Sequence, residues 1–366
     1  MTPTLACSAA PFGYGPASKL VAIAERAREM DFRPVFVGTG AGFELAARSA
    51  AFEEVVLAPP GDRRARTLIA SADAFVSSMD RKYLAFASER SLPVFVADSL
   101  FWMRHSIPAA FSSARRYWVQ NFPGVPERAA ETTPAPAVVG PIVRPGAERN
   151  RSPSKLVVSF GSADYPFEYL PADGSVFDFI VDGILASDLL DAFPDAVFLA
   201  GGRCIDHLSA RYQQSKLDFV SASSDEARRL LASAALVLAA PGLTTALECF
   251  QGGIPVYFLP PLNYSQWWIL KTFRHHGLAP GAFHWEDVFR DSPLAERMTE
   301  ELRVTRFRNV IARVIREEAA AAALRDGFQA HARHASDDLG QRQRAFFDRL
   351  GPNGLDRIAA DLADLC

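Results

Sequence analysis

Glu248 stands three residues after Thr245 and five before Gly253-Ile254-Pro255, within APGLTTALECFQGGIPVYFLPPLNYSQ (Ala240–Gln266). A strand that stops at Pro241-Gly242 and opens a helix through Leu243, Thr244 and Thr245 offers first-turn N–H groups to a phosphate. Glu248 follows one turn later. A second reading needs no ligand, because Thr245-x-x-Glu248 has the form of a capping box. The stretch then runs through a strand into Pro260-Pro261-Leu262-Asn263-Tyr264-Ser265-Gln266 and a further helix. Neither a core nor a turn requires that many polar groups.

Three other places pair a strand end with small or polar residues. In APFGYGPASKL, Gly13, Tyr14 and Gly15 turn the chain into a helix expected from about Ala17, with Ser18 and Lys19 in its first turn. Two glycines let backbone approach a ligand closely, although the six-residue glycine fingerprint is incomplete. Lys19 there opposes the helix dipole. VVSFGSADYP ends a strand at Gly161-Ser162, and VFLAGGRC repeats the device at Gly201, Gly202 and Arg203. Asp98, closing LPVFVAD, is the carboxylate best placed to accept a proton or orient a reactant; a turn cap is its bland alternative.

The elements that must position these residues alternate along the chain. LACSAA, RPVFVGT, EEVVLA, DAFVSS, LPVFVADS and RYWVQNF read as strands. Helices are expected over Ala17–Met30, Phe43–Ala51, Arg66–Ala72 and Arg81–Arg90, with Arg63-Arg64-x-Arg66 opening as a solvated loop. The proline-rich run PGVPERAAETTPAPAVVGPIVRPGAERNRSPS reads as a linker carrying one short strand at Ala137–Val143. A second series follows in KLVVSFG, AVFLAGG, LDFVSAS, ALVLAAPG and PVYFLPP, and the remainder is helical. The expected fold class is α/β: two Rossmann-like parallel-sheet domains facing a cleft, over residues 1–145 and 146–335, with C-terminal helices over 336–366.

Composition narrows the partners. With 366 residues, 22% charged and a net charge of −3, nothing suggests a nucleic-acid surface. Cys7, Cys204, Cys249 and Cys366 are too scattered for a zinc site, and free thiols fit a reducing cytoplasm. The longest apolar run, Leu230–Ala240, is too short to span a membrane. No Asp-x-Asp occurs, so no obvious carboxylate pair is offered to a divalent metal. No cofactor is expected, and the oligomeric state is left open, a dimer included.

Glu-x4-Gly-x-Pro, followed by a strand, proline and glutamine, resembles the donor half of GT-B glycosyltransferases, above all those related to the N-acetylglucosaminyltransferase of peptidoglycan synthesis. The resemblance implies a UDP-sugar co-substrate, with Gly242, Leu243, Thr244 and Thr245 on the diphosphate and Glu248 on the ribose. Asn263, Ser265 and Gln266 would then face the sugar. FGYGPASKL, VADSLFWM and PGLTTALECFQGGIPVYFLPPLNYSQ together resemble cytosylglucuronate synthase and its relatives in nucleoside-antibiotic pathways. That narrower likeness implies glucuronyl transfer from UDP-glucuronate to a small heteroaromatic acceptor such as cytosine. It makes Asp98 and Lys19 the catalytic candidates, with Lys19 first and Arg203 second as partners of the uronate carboxylate. Gly13, Tyr14, Gly15 and Ser18 would line the acceptor, and Gly161 and Ser162 the phosphates.

Many relatives of that fold carry a histidine in the first loop. Here Phe12–Lys19 has none, and of seven histidines only His105 precedes residue 145. A ring nitrogen with a lone pair needs less help from a base than an alcohol does, which favours an N-glycosyl product formed with inversion. Two alternatives stand beside transfer: hydrolysis of the nucleotide sugar by the same fold, and a non-catalytic auxiliary role beside a transferase.

Overall fold

The computed structural model describes residues 2–104, 106–147, 149–162, 175–288, 300–334 and 337–364. His105, Cys366 and positions 163–166 of the VVSFGSADYP stretch lie outside them. Two compact units emerge, one made of Met1–Pro145 with Phe347–Cys366 and the other of Gly146–Phe346.

The first unit holds seven strands: β1 (Thr4–Ala9), β2 (Arg33–Gly38), β3 (Glu54–Leu57), β4 (Ala74–Ser78), β5 (Val94–Asp98), β6 (Arg116–Gln120) and β7 (Ala137–Val139). All pair in parallel in the order β3-β2-β1-β4-β5-β6-β7. Covered on both faces, the central strands are buried along their whole length, which is why they read as mostly apolar runs rather than alternating ones. On one face Leu5, Cys7, Phe36 and Val76 pack with Leu20, Ile23 and Ala27 of the helix Tyr14–Arg28. Burying each large aliphatic side chain there contributes about 1.5–3 kcal/mol.

The second unit repeats the plan with β8 (Lys155–Ser159), β9 (Asp195–Leu199), β10 (Asp218–Val220), β11 (Leu236–Ala239) and β12 (Val256–Phe258), in the order β10-β9-β8-β11-β12 and again all parallel. In each sheet the direction of winding reverses beside the first strand, between β1 and β4 and between β8 and β11. Ligands of doubly wound sheets bind at the carboxyl ends of the strands at that reversal.

The fold corrects several local expectations. The proline-rich run is not a bare linker: it contains the helix Val125–Ala130, and β7 completes the first sheet at its edge. The C-terminal helices do not stand as a separate body, because the helix Gly354–Ala363 belongs to the first unit. Its Leu355, Ile358 and Leu362 enter that core, and Trp118 Nε1 donates to Asp361 at 2.7 Å. Gly140 and Gly354 allow the contact, since a Cβ on Gly140 would lie 1.8 Å from the Pro352 carbonyl oxygen. Arg63, Arg64 and Arg66 are helical within Arg63–Ala70, capped by Asp62, whose carboxylate accepts from the Arg64 amide at 2.7 Å.

Candidate functional site

At the reversal point of the second sheet, two chain segments leave neighbouring strands. Beyond β8 the chain passes Phe160 into Gly161 and Ser162. Gly161 has φ +71°, a left-handed conformation that glycine adopts without a Cβ penalty. Ser162 is buried, and its carbonyl accepts from the Gly201 amide at 2.8 Å, which ties the β8 loop to the β9 loop. Gly202 and the exposed Arg203 then start the helix Gly202–Arg211. The glycine devices of successive units are thereby joined at one sheet edge.

Beyond β11, Pro241 and Gly242 lead into the helix Leu243–Gln251. Gly242 is its N-cap, and no side chain caps it. The Ala246 amide donates to the Gly242 carbonyl at 3.1 Å, so Leu243, Thr244 and Thr245 form the first turn, whose N–H groups have no acceptor inside a helix. Gly242 itself has an ordinary extended conformation, and a Cβ there would meet only the Ala240 carbonyl oxygen at 3.9 Å. Neither backbone strain nor internal packing demands glycine at this position. Thr245 lies inside the helix rather than at its cap, so the capping-box reading of Thr245 and Glu248 fails. Glu248 is half-buried one turn further along.

Polar residues after β12 are built differently from the expectation. Asn263 N-caps the helix Tyr264–His275, its Oδ1 accepting from the Gln266 amide at 3.0 Å and from Ser265 Oγ at 2.7 Å. Gln266 Oε1 accepts from the Leu262 amide at 2.8 Å. The acceptor ends of both amides are thus committed to the turn. Trp267 and Phe273 are core residues, as Trp285 is, with its indole donating to the Pro261 carbonyl at 2.7 Å.

In the first unit the helix starts three residues earlier than expected. Gly13, with φ 73°, is the N-cap; Tyr14, Gly15 and Pro16 form the first turn. Proline is tolerated in a first turn, where an N–H would have no helical partner. Ser18 is half-buried. Lys19 therefore sits in the second turn, and its side chain is only 1% exposed among the largest buried residues. The exposed, solvated lysine of the bland alternative is therefore not what the structure shows.

Asp98 is likewise not a free carboxylate. It is fully buried at the end of β5; Oδ1 accepts from the Leu100 amide at 2.8 Å, and Oδ2 from Tyr117 OH at 2.7 Å and from Arg104 Nε. Burial and the adjacent carboxylate drive the Tyr117 phenol well above its usual range. Asp98 is an anchor for Arg104, a residue that the sequence reading passed over. A different carboxylate, Asp80 after β4, is buried and raised to about 6 by desolvation, and it caps the helix Arg81–Glu89 through Lys82 N at 2.9 Å.

Among the described residues no cluster of three or more His, Cys, Asp or Glu side chains is arranged to hold a metal ion, and no helix is long and apolar enough to cross a membrane.

The sequence matches no protein-family model and no curated protein. Solved structures are similar to it over nearly the whole chain. The spinosyn rhamnosyltransferase SpnG is 14% identical over 99% of both chains, with a TM-score of 0.51. UGT89C1 of Arabidopsis thaliana, solved with quercetin, is 12% identical over 100% of both, with a TM-score of 0.51. MurG of Acinetobacter baumannii is 14% identical over 99% of both, with a TM-score of 0.50. Two parallel α/β sheets of seven and five strands, a helical C-terminal end and these likenesses identify the fold as GT-B.

Proposed function

We propose that the chain is a nucleotide-sugar-dependent glycosyltransferase whose second unit holds the donor. The observation that carries this reading is the reversal point of the second sheet. There the left-handed turn at Gly161-Ser162 adjoins the strand that delivers Gly242 and the helix Leu243–Gln251. A diphosphate at that helix start meets first-turn N–H groups and the positive end of the helix dipole. Glu248 accepts from the ribose hydroxyls one turn on. Asn263 and Gln266 contribute their NH2 ends to the sugar, with Ser265 beside them, since their oxygens are engaged in the turn.

The donor we propose is UDP-glucuronate and the acceptor a small heteroaromatic ring such as cytosine, bound in the first unit near Gly13, Tyr14, Gly15 and Ser18. A ring nitrogen attacks the anomeric carbon, the bond from that carbon to the diphosphate oxygen breaks, and UDP leaves with the electron pair. The ring then loses its N–H proton. Helix dipole and backbone N–H groups stabilise the departing charge, with no divalent metal required. Arg203 is retained as a contact to the anionic donor, and Lys19 as a residue of the acceptor helix whose part in the reaction is to be tested.

Incubating the protein with UDP-glucuronate, with and without cytosine, and following UDP tests the proposal. UDP release that depends on cytosine is expected. Release without cytosine would indicate hydrolysis, and no release with any UDP-sugar and acceptor would overturn the enzymatic reading.

A further inference from the structure

One edge of the first sheet is left open. β3 ends the strand order and pairs with β2 alone. The Glu53 amide donates to the Pro34 carbonyl on β2 at 2.9 Å, so alternation along the strand turns the amides and carbonyls of Glu54 and Val56 outward. Such a row is a template for a further strand unless something covers it. The helix that follows, Arg63–Ala70, leaves it accessible: a groove of about 710 Å³ lies between helix and strand, with Val35, Val56, Leu57, Arg63, Thr67 and Leu68 in its lining. Leu57 is 52% exposed, the most exposed large apolar side chain among the described residues. The opposite edge differs, because Val139 of β7 shares a core with Leu355 and Ile358 of the C-terminal helix.

Charge is unevenly spread along this edge. Glu53 and Glu54, both exposed, stand where β3 begins, with Arg33 3.6 Å from Glu53. Arg63 and Arg64 stand where β3 ends: Arg64 donates to the Leu57 carbonyl at 3.2 Å and pairs with Asp62 at 3.3 Å. Two glutamates and one arginine leave −1 at the first end, and two arginines and one aspartate leave +1 at the second. Among the described residues neither Glu54 nor Arg63 makes an ion pair or a side-chain hydrogen bond, and both are exposed.

An edge that is acidic at one end and basic at the other complements itself in the antiparallel sense. A two-fold axis at Val56 sets that residue against Val56 of a second copy, and Val55 against Leu57 of the second copy. Glu53 and Glu54 of each copy then lie toward the basic end of the other. A parallel pairing would bring like ends together. We propose that the chain forms a homodimer by antiparallel pairing of β3 with β3 of a second copy, which joins two seven-stranded sheets into one. The proposal uses only the first unit and does not rest on the glycosyltransferase reading. A strand pair of four residues a side is small for a stable interface, so the dimer is expected to be weak, with a Kd on the order of 10 μM.

Sedimentation equilibrium of the full-length chain, at concentrations on both sides of that value, tests it. The wild type should pass from monomer to dimer as concentration rises. Glu54→Arg and Arg63→Glu each set like charges together twice across the axis, and each should raise the Kd about tenfold or more. An equimolar mixture of the two variants restores opposite charges at both places, since Arg at position 54 of one copy meets Glu at position 63 of the other. Dimerisation in the mixture should therefore return to within about threefold of the wild type. That recovery also shows that both variants are folded, which melting curves check separately. A chain that stays monomeric throughout, its edge left for an extended segment of another protein, overturns the proposal. So does a dimer that neither reversal weakens, or a mixture that recovers nothing.

Discussion

The Gly201 amide donates to the Ser162 carbonyl at 2.8 Å, so the chain just beyond β8 and the chain just beyond β9 are joined in one ledge. That ledge borders the strand pair where the winding reverses, and the helix Leu243–Gln251 begins on the other side of it. A ligand that needs both a turn and a helix start finds them already assembled.

The sharpest test of this site is Gly242. Its extended conformation and open surroundings admit a Cβ, so Gly242→Val should still fold, with a somewhat lowered melting temperature because valine is a poorer N-cap than glycine. A branched side chain at the helix start would nevertheless occupy the space of a bound diphosphate. UDP affinity is expected to fall by about tenfold or more, a loss of at least about 1.4 kcal/mol. Unchanged UDP affinity in the folded variant would remove the diphosphate from this helix.

Glu248 gives an independent measurement. Thr245 does not cap the helix, so Glu248→Ala breaks no capping box. A carboxylate accepting from ribose hydroxyls makes bonds worth roughly 1.5–3 kcal/mol each. A 10- to 100-fold rise in the Kd for UDP is expected, at about 1.4 kcal/mol per decade. A lowered melting temperature with unchanged Kd would return Glu248 to a purely structural role.

Asp98→Ala should behave in the opposite way. It strips the acceptor from Arg104 and from the buried Tyr117 hydroxyl, and breaking a buried ion pair costs on the order of 3 kcal/mol. Denaturant unfolding should show a large fall in midpoint. A variant as stable as the wild type would mean that the Asp98–Arg104 contact is not formed in solution.

Acid should weaken the second unit. His284 and His331 are buried there and lowered to about 4, in each case chiefly by desolvation. Unfolded, each titrates near 6.5, so between those values the unfolded chain binds more protons and stability falls as pH falls. The contribution is complete above about 6.5 and is lost on the way down to 4. Replacing His331 by Phe, which keeps the ring against Tyr257, should flatten the dependence of melting temperature on pH over that range. An unaltered pH profile would show that His331 is not the acid-sensitive group.

Turnover is expected to survive EDTA. The proposed leaving-group stabilisation comes from helix N–H groups, and the described residues offer no cluster of metal ligands. Activity abolished by EDTA and restored by magnesium or manganese would require a different account of the diphosphate.

Most of the sheet was legible because parallel strands covered on both faces spell continuous apolar runs, as at Leu5–Ala9 and Val94–Ala97. Helix starts were harder. Pro16 reads as a boundary, yet in a first turn it breaks nothing, and the helix begins before it at Tyr14. That shift of three residues moves Lys19 from the first turn to the second, where its side chain is buried. At Gly242 the glycine itself caps the helix, so the Thr-x-x-Glu pattern offered as an alternative capping box lies inside it. Arg104 left no local signal. Its significance depends on Asp98 six residues back, Tyr117 on the next strand and Arg128 beyond that, a constellation that only the fold assembles.

The return of the C-terminal helix to the first sheet has a consequence for folding. Leu355, Ile358 and Leu362 share a core with Trp118 and Val139, and the bonded pair Trp118 and Asp361 lie 243 positions apart. The first unit is thus discontinuous in sequence, and its core closes only when two distant stretches of chain meet. Contacts of such long range are slow to form, so apolar surface beneath Gly354–Ala363 stays uncovered until that helix docks.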